Sequence, residues 1–127
     1  MPLAMHKDAM GAHLASVAAE RQGRFWEFHD RLFANQGQLK LDDLKRHARA
    51  LGLDMNRFEK DLVDLEIKKR VETDMAEARA LGVTGTPGFF VNGRFLNGAK
   101  PFEDFAALID AELTRLGLPV PSKPPAD

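Results

Sequence analysis

The sequence predicts an α/β protein that is mostly helical, with a single β-hairpin near its C-terminal end. Three observations support this fold class. Apolar residues recur at helical spacing from residue 7 to residue 81. A short run of strand-forming residues then surrounds the pair Asn92-Gly93, and helical spacing returns over 101–117. At 127 residues the chain is long enough to bury a core of its own.

The first part of the chain should form five amphipathic helices. They are expected from Lys7 to just before Gly23, from residue 24 to near Asn35-Gln36-Gly37, over 41–51, from a cap at Asp54 to Leu62, and over about 65–81. The second helix, RFWEFHDRLF, should bury an aromatic stripe at i, i+3, i+4, i+7 and i+8: Phe25, Phe28, His29, Leu32 and Phe33. The third should turn four apolar residues inward: Leu41, Leu44, Ala48 and Leu51.

The stretch GFFVNGRFL predicts the hairpin, because Asn92-Gly93 tolerates the positive φ angles of a type I′ turn. Phe89 and Val91 should point to one face and Phe90 to the other. Since both faces are apolar, we expect a strand that is covered on both sides.

A final helix should begin with Pro101 in its first helical position and end at Gly117. Its inward side is expected to carry Phe102, Phe105, Ala106, Ile109, Leu113 and Leu116. The remaining residues, 118–127, are rich in proline and are interpreted as a tail.

Composition and charge exclude several classes of function. The formal net charge of -1 and the single basic run at 68–70 argue against a nucleic-acid partner. No apolar stretch approaches the roughly 20 residues of a membrane helix, so no membrane partner is expected. Lys7, Asp8 and His13 interrupt any signal-peptide core, so the sequence predicts no export signal.

The sequence contains no cysteine, which excludes thiolate nucleophiles, disulfides and zinc–thiolate sites. Its four histidines lack metal-ligand spacing, and His29 is expected to be a core or half-buried histidine with a hydrogen bond to a carbonyl. We therefore predict no catalytic residue, no metal and no cofactor.

Several strings in this order resemble the DsbA-like branch of the thioredoxin superfamily, the thiol-disulfide oxidoreductases. They are PLAMHKDA, RFWEFHDRLF, LGLD, GVTGTPGFFVNGRFLNGA and PFEDFAALID. The resemblance covers almost the whole chain. It implies an incomplete thioredoxin-like fold over residues 1–117, with a helical insertion over about 5–82 and the hairpin and last helix over about 83–117.

The resemblance also implies a substrate-binding loop. In the family the proline before the hairpin is cis and lies against the reactive dithiol, and the backbone beside it pairs with an extended peptide. Carried over, Pro87 is the cis residue and Thr86 offers backbone groups to the substrate. Gly88 stands where the family has a larger residue, which should add flexibility and remove a packing contact. Without the resemblance, a trans proline that starts an edge strand is the alternative.

The family's opening strand and Cys-x-x-Cys segment have no counterpart here, so we expect a truncated chain that is inactive by itself in disulfide exchange. The partner is expected to be an extended peptide or protein substrate. We also expect one of three outcomes for the exposed hairpin strand: a homo-oligomer, another protein that supplies the missing strand, or rearranged helices that cover the hairpin. The homo-oligomer is the first choice among them. The alternative function is a non-enzymatic helical module that binds a peptide or subunit and self-associates through its hairpin. The family usually works outside the cytosol, but the sequence assigns no compartment.

Overall fold

The computed structural model describes residues 1–121 and confirms the mostly helical α/β class. Its helices are α1 (Ala9–Glu20), α2 (Phe25–Ala34), α3 (Leu41–Ala50), α4 (Met55–Leu62), α5 (Leu65–Ala80) and α6 (Phe102–Arg115). The strands β1 (Gly88–Val91) and β2 (Arg94–Asn97) lie between α5 and α6. From residue 122 on, the predicted tail lies outside the described residues.

The chain divides into two compact units. The helical unit runs from Met1 to Gly82 and contains α1 to α5. The hairpin unit begins at Val83 and contains β1, β2 and α6.

Helix α1 lies at the centre of the helical unit and contacts α2, α3, α4 and α5. Its side chains at these contacts are small, and Ala15, Ala18 and Ala19 are fully buried. Small side chains let helix axes approach closely, so four helices can pack around a single one. The largest buried side chains of this core are Phe28 and Phe58, whose ring centroids are 5.9 Å apart.

Polar contacts fix the ends of these helices. The predicted cap is confirmed, because Asp54 accepts a hydrogen bond from the backbone N–H of Arg57 at 3.0 Å. Arg21 follows α1 and donates from Nη1 to Asp61 at 2.9 Å and to Asp64 at 2.7 Å. This contact joins the end of α1 to the junction between α4 and α5.

The predicted inward faces of α2 and α3 are only partly correct. Phe28 and Leu32 are buried as expected, but Phe33 is 63% exposed and His29 is half-buried. On α3, Leu44 and Ala48 are buried whereas Leu41 is exposed. Helical periodicity identifies a face, but the neighbouring helices cover only the middle of that face.

In the hairpin unit, β1 and β2 pair antiparallel with Phe89 opposite Leu96 and Phe90 opposite Phe95. The turn is the predicted one, because Asn92 and Gly93 both have positive φ, at 49° and 81°. The prediction that both faces of β1 are covered was wrong. The Phe89 ring packs edge to face on Phe105 of α6 at 4.9 Å, while Phe90 on the other face is 43% exposed.

Helix α6 begins one residue later than predicted, because Pro101 is its N-cap and has extended ψ. The predicted inward side was wrong for three residues that are exposed: Phe102, Ile109 and Leu116. A two-stranded hairpin covers only a narrow stripe of the helix that packs against it. Within that stripe, the buried side chain is the charged Glu112.

Glu112 connects α6 to the hairpin turn. Its carboxylate accepts hydrogen bonds from Asn92 Nδ2 at 2.9 Å, Arg94 Nη1 at 3.0 Å and Arg115 Nε at 3.0 Å. The hydrogen bond from Asn92, followed by those from Arg115 and Arg94, holds the pKa of this carboxyl below its ordinary value. Buried charges persist in proteins when they are paired in this way.

Replacing a buried phenylalanine should destabilise the helical unit strongly. We expect Phe58→Ala to lower the free energy of unfolding by about 3–5 kcal/mol, because the ring leaves a cavity that the packed helices cannot close. Urea denaturation followed by circular dichroism measures this loss. Phe33→Ala is the matched control on an exposed ring, and an equal loss in both variants would contradict the assignment of the core.

The Glu112 contacts should make the hairpin unit sensitive to acid. The folded pKa is lowered, so the stabilisation is present above the ordinary pKa of about 4.3 and is lost as the pH falls through the lower folded pKa. Carboxyl-carbon NMR titration measures that pKa directly. We expect Asn92→Ala to raise it and Glu112→Gln to remove this acid dependence. A Glu112 pKa that is unchanged in Asn92→Ala would refute the assigned cause.

Candidate functional site

The three residues singled out in the sequence, Thr86, Pro87 and Gly88, lie together at the start of β1, and all three are exposed. The Thr86–Pro87 peptide bond is cis. The carbonyl oxygen of Pro87 accepts a hydrogen bond from the backbone N–H of Gly98 at 2.9 Å, so β2 holds the loop at its exit.

The space beside Gly88 is closed, contrary to the expected loss of packing. A Cβ placed there would lie 3.2 Å from the Phe95 ring and 3.3 Å from a Val83 methyl group. Both distances are tighter than ordinary carbon contacts, so a larger residue would have to push these side chains away. Glycine at this position lets the Phe95 ring lie directly against the β1 backbone.

One edge of β1 has no strand partner among the described residues, because the sheet has only two strands. In an antiparallel pair, hydrogen-bonded and non-hydrogen-bonded residue pairs alternate. The bond between Gly98 and Pro87, together with the register, makes Phe89–Leu96 a hydrogen-bonded pair. Phe90 therefore belongs to a non-hydrogen-bonded pair, and its backbone N–H and C=O point to the open edge, as do those of Gly88.

An aromatic pair lies on the face of the hairpin opposite α6. The rings of Phe90 and Phe95 are cross-strand neighbours with centroids 5.0 Å apart, and 43% and 38% of these residues remain exposed. Exposed aromatic rings beside an open strand edge offer apolar contacts together with backbone hydrogen bonds.

The chemistry available at this loop is hydrogen bonding and apolar contact. Thr86 is the only residue of the three with a side-chain hydroxyl, and no histidine or carboxylate is paired with it in the described hydrogen bonds. The sequence has no cysteine to provide a thiolate.

The histidines do not form a metal site in residues 1–121, where no group of three or more suitable side chains comes together. His29 is half-buried, and its Nδ1 contacts the Asp30 carboxylate at 3.0 Å instead of the predicted backbone carbonyl. Burial lowers the pKa of His13 because it disfavours the charged imidazolium.

His47, which the sequence pattern left unassigned, is the buried histidine of the helical unit. Arg31 Nε donates to its Nδ1 at 3.1 Å, so its Nε2 carries the proton that faces the Gln38 carbonyl at 3.0 Å. The i, i+3 relation of His47 to Leu44 could have indicated this burial. Its role is to hold the segment between α2 and α3.

A family model and several relatives match this chain. The model of the DSBA-like thioredoxin domain matches residues 1–110. The chain is 42% identical over 105 residues to "Na(+)/H(+) antiporter NhaA 3" of Salinispora tropica, which covers 83% of the chain and 16% of that protein. It is 42% identical over 97 residues to "Na(+)/H(+) antiporter NhaA" of Herminiimonas arsenicoxydans. This aligned region covers 76% of the chain and 16% of that protein.

A third relative, "Na(+)/H(+) antiporter NhaA 1" of Mycolicibacterium gilvum, is 40% identical over 108 residues, which cover 84% of the chain and 17% of that protein. The chain thus spans about one sixth of the length of these relatives. Within residues 1–121, no helix has the length and hydropathy needed to cross a bilayer. The match to the family model over residues 1–110, joined to the helices, hairpin and last helix described above, shows that the chain belongs to the DSBA-like thioredoxin domain family.

Proposed function

We propose that the hairpin unit binds an extended polypeptide segment along the open edge of β1, beside Thr86 and Pro87, without thiol chemistry of its own. The observation that carries the proposal is the outward direction of the Phe90 backbone N–H and C=O. Exposed strand edges bind extended peptides by adding them as a further strand.

Each part of the site has a role in this proposal. Gly88 and Phe90 supply the backbone donors and acceptors of the edge, and the exposed Phe90 and Phe95 rings contact alternate side chains of the bound segment. Thr86 and Pro87 lie at the start of the edge and contact the end of that segment. Support for their role comes from their exposure and from membership in the family.

Glu112 supports the binding edge from the opposite side of the hairpin. Its hydrogen bonds from Asn92 and Arg94 fix the turn that joins β1 to β2. A strand that is already ordered loses less conformational entropy when it binds a peptide. The open edge of β1 is therefore already ordered before a peptide binds to it.

A second copy of the chain is the alternative occupant of the same edge. The exposed Phe90 and Phe95 rings favour it, because two hairpins that pair through β1 would cover both aromatic pairs at once. The antiporter named in the relatives is a longer protein, of which this chain spans about one sixth.

Substitutions at Phe90 separate backbone pairing from ring contact. Phe90→Pro removes the outward N–H but leaves the hydrogen bonds between β1 and β2 in place, because proline is tolerated on the open side of an edge strand. Phe90→Ala removes the ring and keeps the N–H. With a capped peptide of alternating valine and threonine as the probe, we expect Phe90→Pro to abolish binding and Phe90→Ala to weaken it only several-fold.

NMR titration measures this binding, and cross-strand contacts between β1 and β2 verify that the hairpin remains intact in both variants. Peptide binding that survives Phe90→Pro would contradict strand addition. Sedimentation velocity distinguishes the alternative occupant: a dimer of the unsubstituted chain that becomes monomeric in Phe90→Pro, with no peptide binding by either, would favour self-association.

Disulfide exchange should be absent. Because no residue of the sequence can form a thiolate, the chain should not raise the rate of insulin reduction by dithiothreitol above the uncatalysed rate. A turbidity assay measures this rate, and turnover above background would refute the prediction. Peptide binding by the same preparation tests the binding function independently of this result.

A further inference from the structure

The helical unit contains an open groove of about 300 Å³ that the proposed peptide site does not use. Its walls are aliphatic and come from three helices and the segment before α3: Leu14 of α1, Leu39, Leu44 of α3 and Leu62 of α4. We refer to it as the leucine groove. Leu44 is almost fully buried, so the groove lies directly on the core of the unit.

Two aliphatic side chains at the groove remain in contact with water. Leu41 is 57% exposed and Val63 is 78% exposed, and both belong to its lining. Aliphatic side chains that stay exposed around a concave apolar surface are typical of binding sites. The sequence pattern predicted that Leu41 would be part of the core, and its exposure places an extra apolar contact at the groove.

The charges at the groove favour an anion. Lys7 and Lys40 both line it, and neither ammonium group takes part in an ion pair among the described residues. Asp8 also lines the groove and offsets one of the two positive charges, so the lining retains a net charge of +1.

We propose that the leucine groove binds an unbranched aliphatic carboxylate, with its hydrocarbon chain against the leucines and its carboxylate at Lys7 and Lys40. The volume lies at the lower end of the range for small-molecule sites, about 300 to 1,000 Å³, so one acyl chain is a suitable occupant. The lining contains no aromatic ring and no hydroxyl side chain that would select a planar or sugar-like ligand.

Sodium decanoate is the probe for this proposal. Titration of the isotopically labelled chain should give saturable NMR shifts at Leu14, Leu44 and Val63, and affinity should rise about fourfold for each methylene added from octanoate to decanoate. Decyltrimethylammonium has the same chain and the opposite charge, so it should bind more weakly. Equal affinity for both ligands, or no saturation by decanoate, would overturn the proposal.

Substitutions test the two parts of the site separately. Lys7→Gln and Lys40→Gln should each lower decanoate affinity about two- to fivefold, because each removes one exposed charge contact. Val63→Asp should lower it further by placing a carboxylate at the groove. All three side chains are exposed, so the fold should tolerate these changes. Lys69→Gln on α5 is the matched control outside the groove and should leave the affinity unchanged.

Unchanged decanoate affinity in the double variant with Lys7→Gln and Lys40→Gln would contradict the assignment of the carboxylate position. Another occupant of the groove is also distinguishable. Groove signals that shift with protein concentration, without a response to decanoate, would show that a second copy of the chain covers the leucines and would overturn the proposal.

Discussion

Glu112 places a buried carboxylate of α6 against Asn92 in the hairpin turn, Arg94 in β2 and Arg115 one helical turn further along. The hairpin unit has one helix and two short strands, so it cannot surround its apolar residues on all sides. In such a small unit the direction of the hairpin depends on a few polar contacts at one place. This carboxylate holds α6 against the hairpin turn and the start of β2, so that one face of β1 lies against α6 and the face with the Phe90 and Phe95 rings remains exposed.

The features that could be predicted from the sequence are those that depend on neighbouring residues in the chain. The cap at Asp54 and the turn at Asn92-Gly93 follow from local backbone chemistry, and both are present. The burial of Phe33 and Phe102 was predicted wrongly, because the structure leaves both rings exposed. Periodicity shows which side chains share a face, but the covering of that face depends on elements that are distant in the sequence.

The candidate site shows the same difference between features set by neighbouring residues and features set by distant elements. Thr86, Pro87 and Gly88 could be identified from one short motif and a family resemblance. The outward direction of the Phe90 N–H could not be predicted from the sequence, because it depends on the register with β2 and on the hydrogen bond between Gly98 and Pro87. A binding edge is a property of pairing between strands, so no residue type marks it. The same holds for the leucine groove, whose residues come from separate helices and look like ordinary core positions in the sequence.

The alanines of α1 have a consequence for how this protein can vary. Ala15, Ala18 and Ala19 are fully buried, and their helix contacts four others. One additional methyl group on any of them would push apart several helix pairs at once, whereas the same change on the outer side of α5 would meet only water. We therefore expect natural variants to accumulate substitutions on the outer helices while the alanine face of α1 keeps its small side chains.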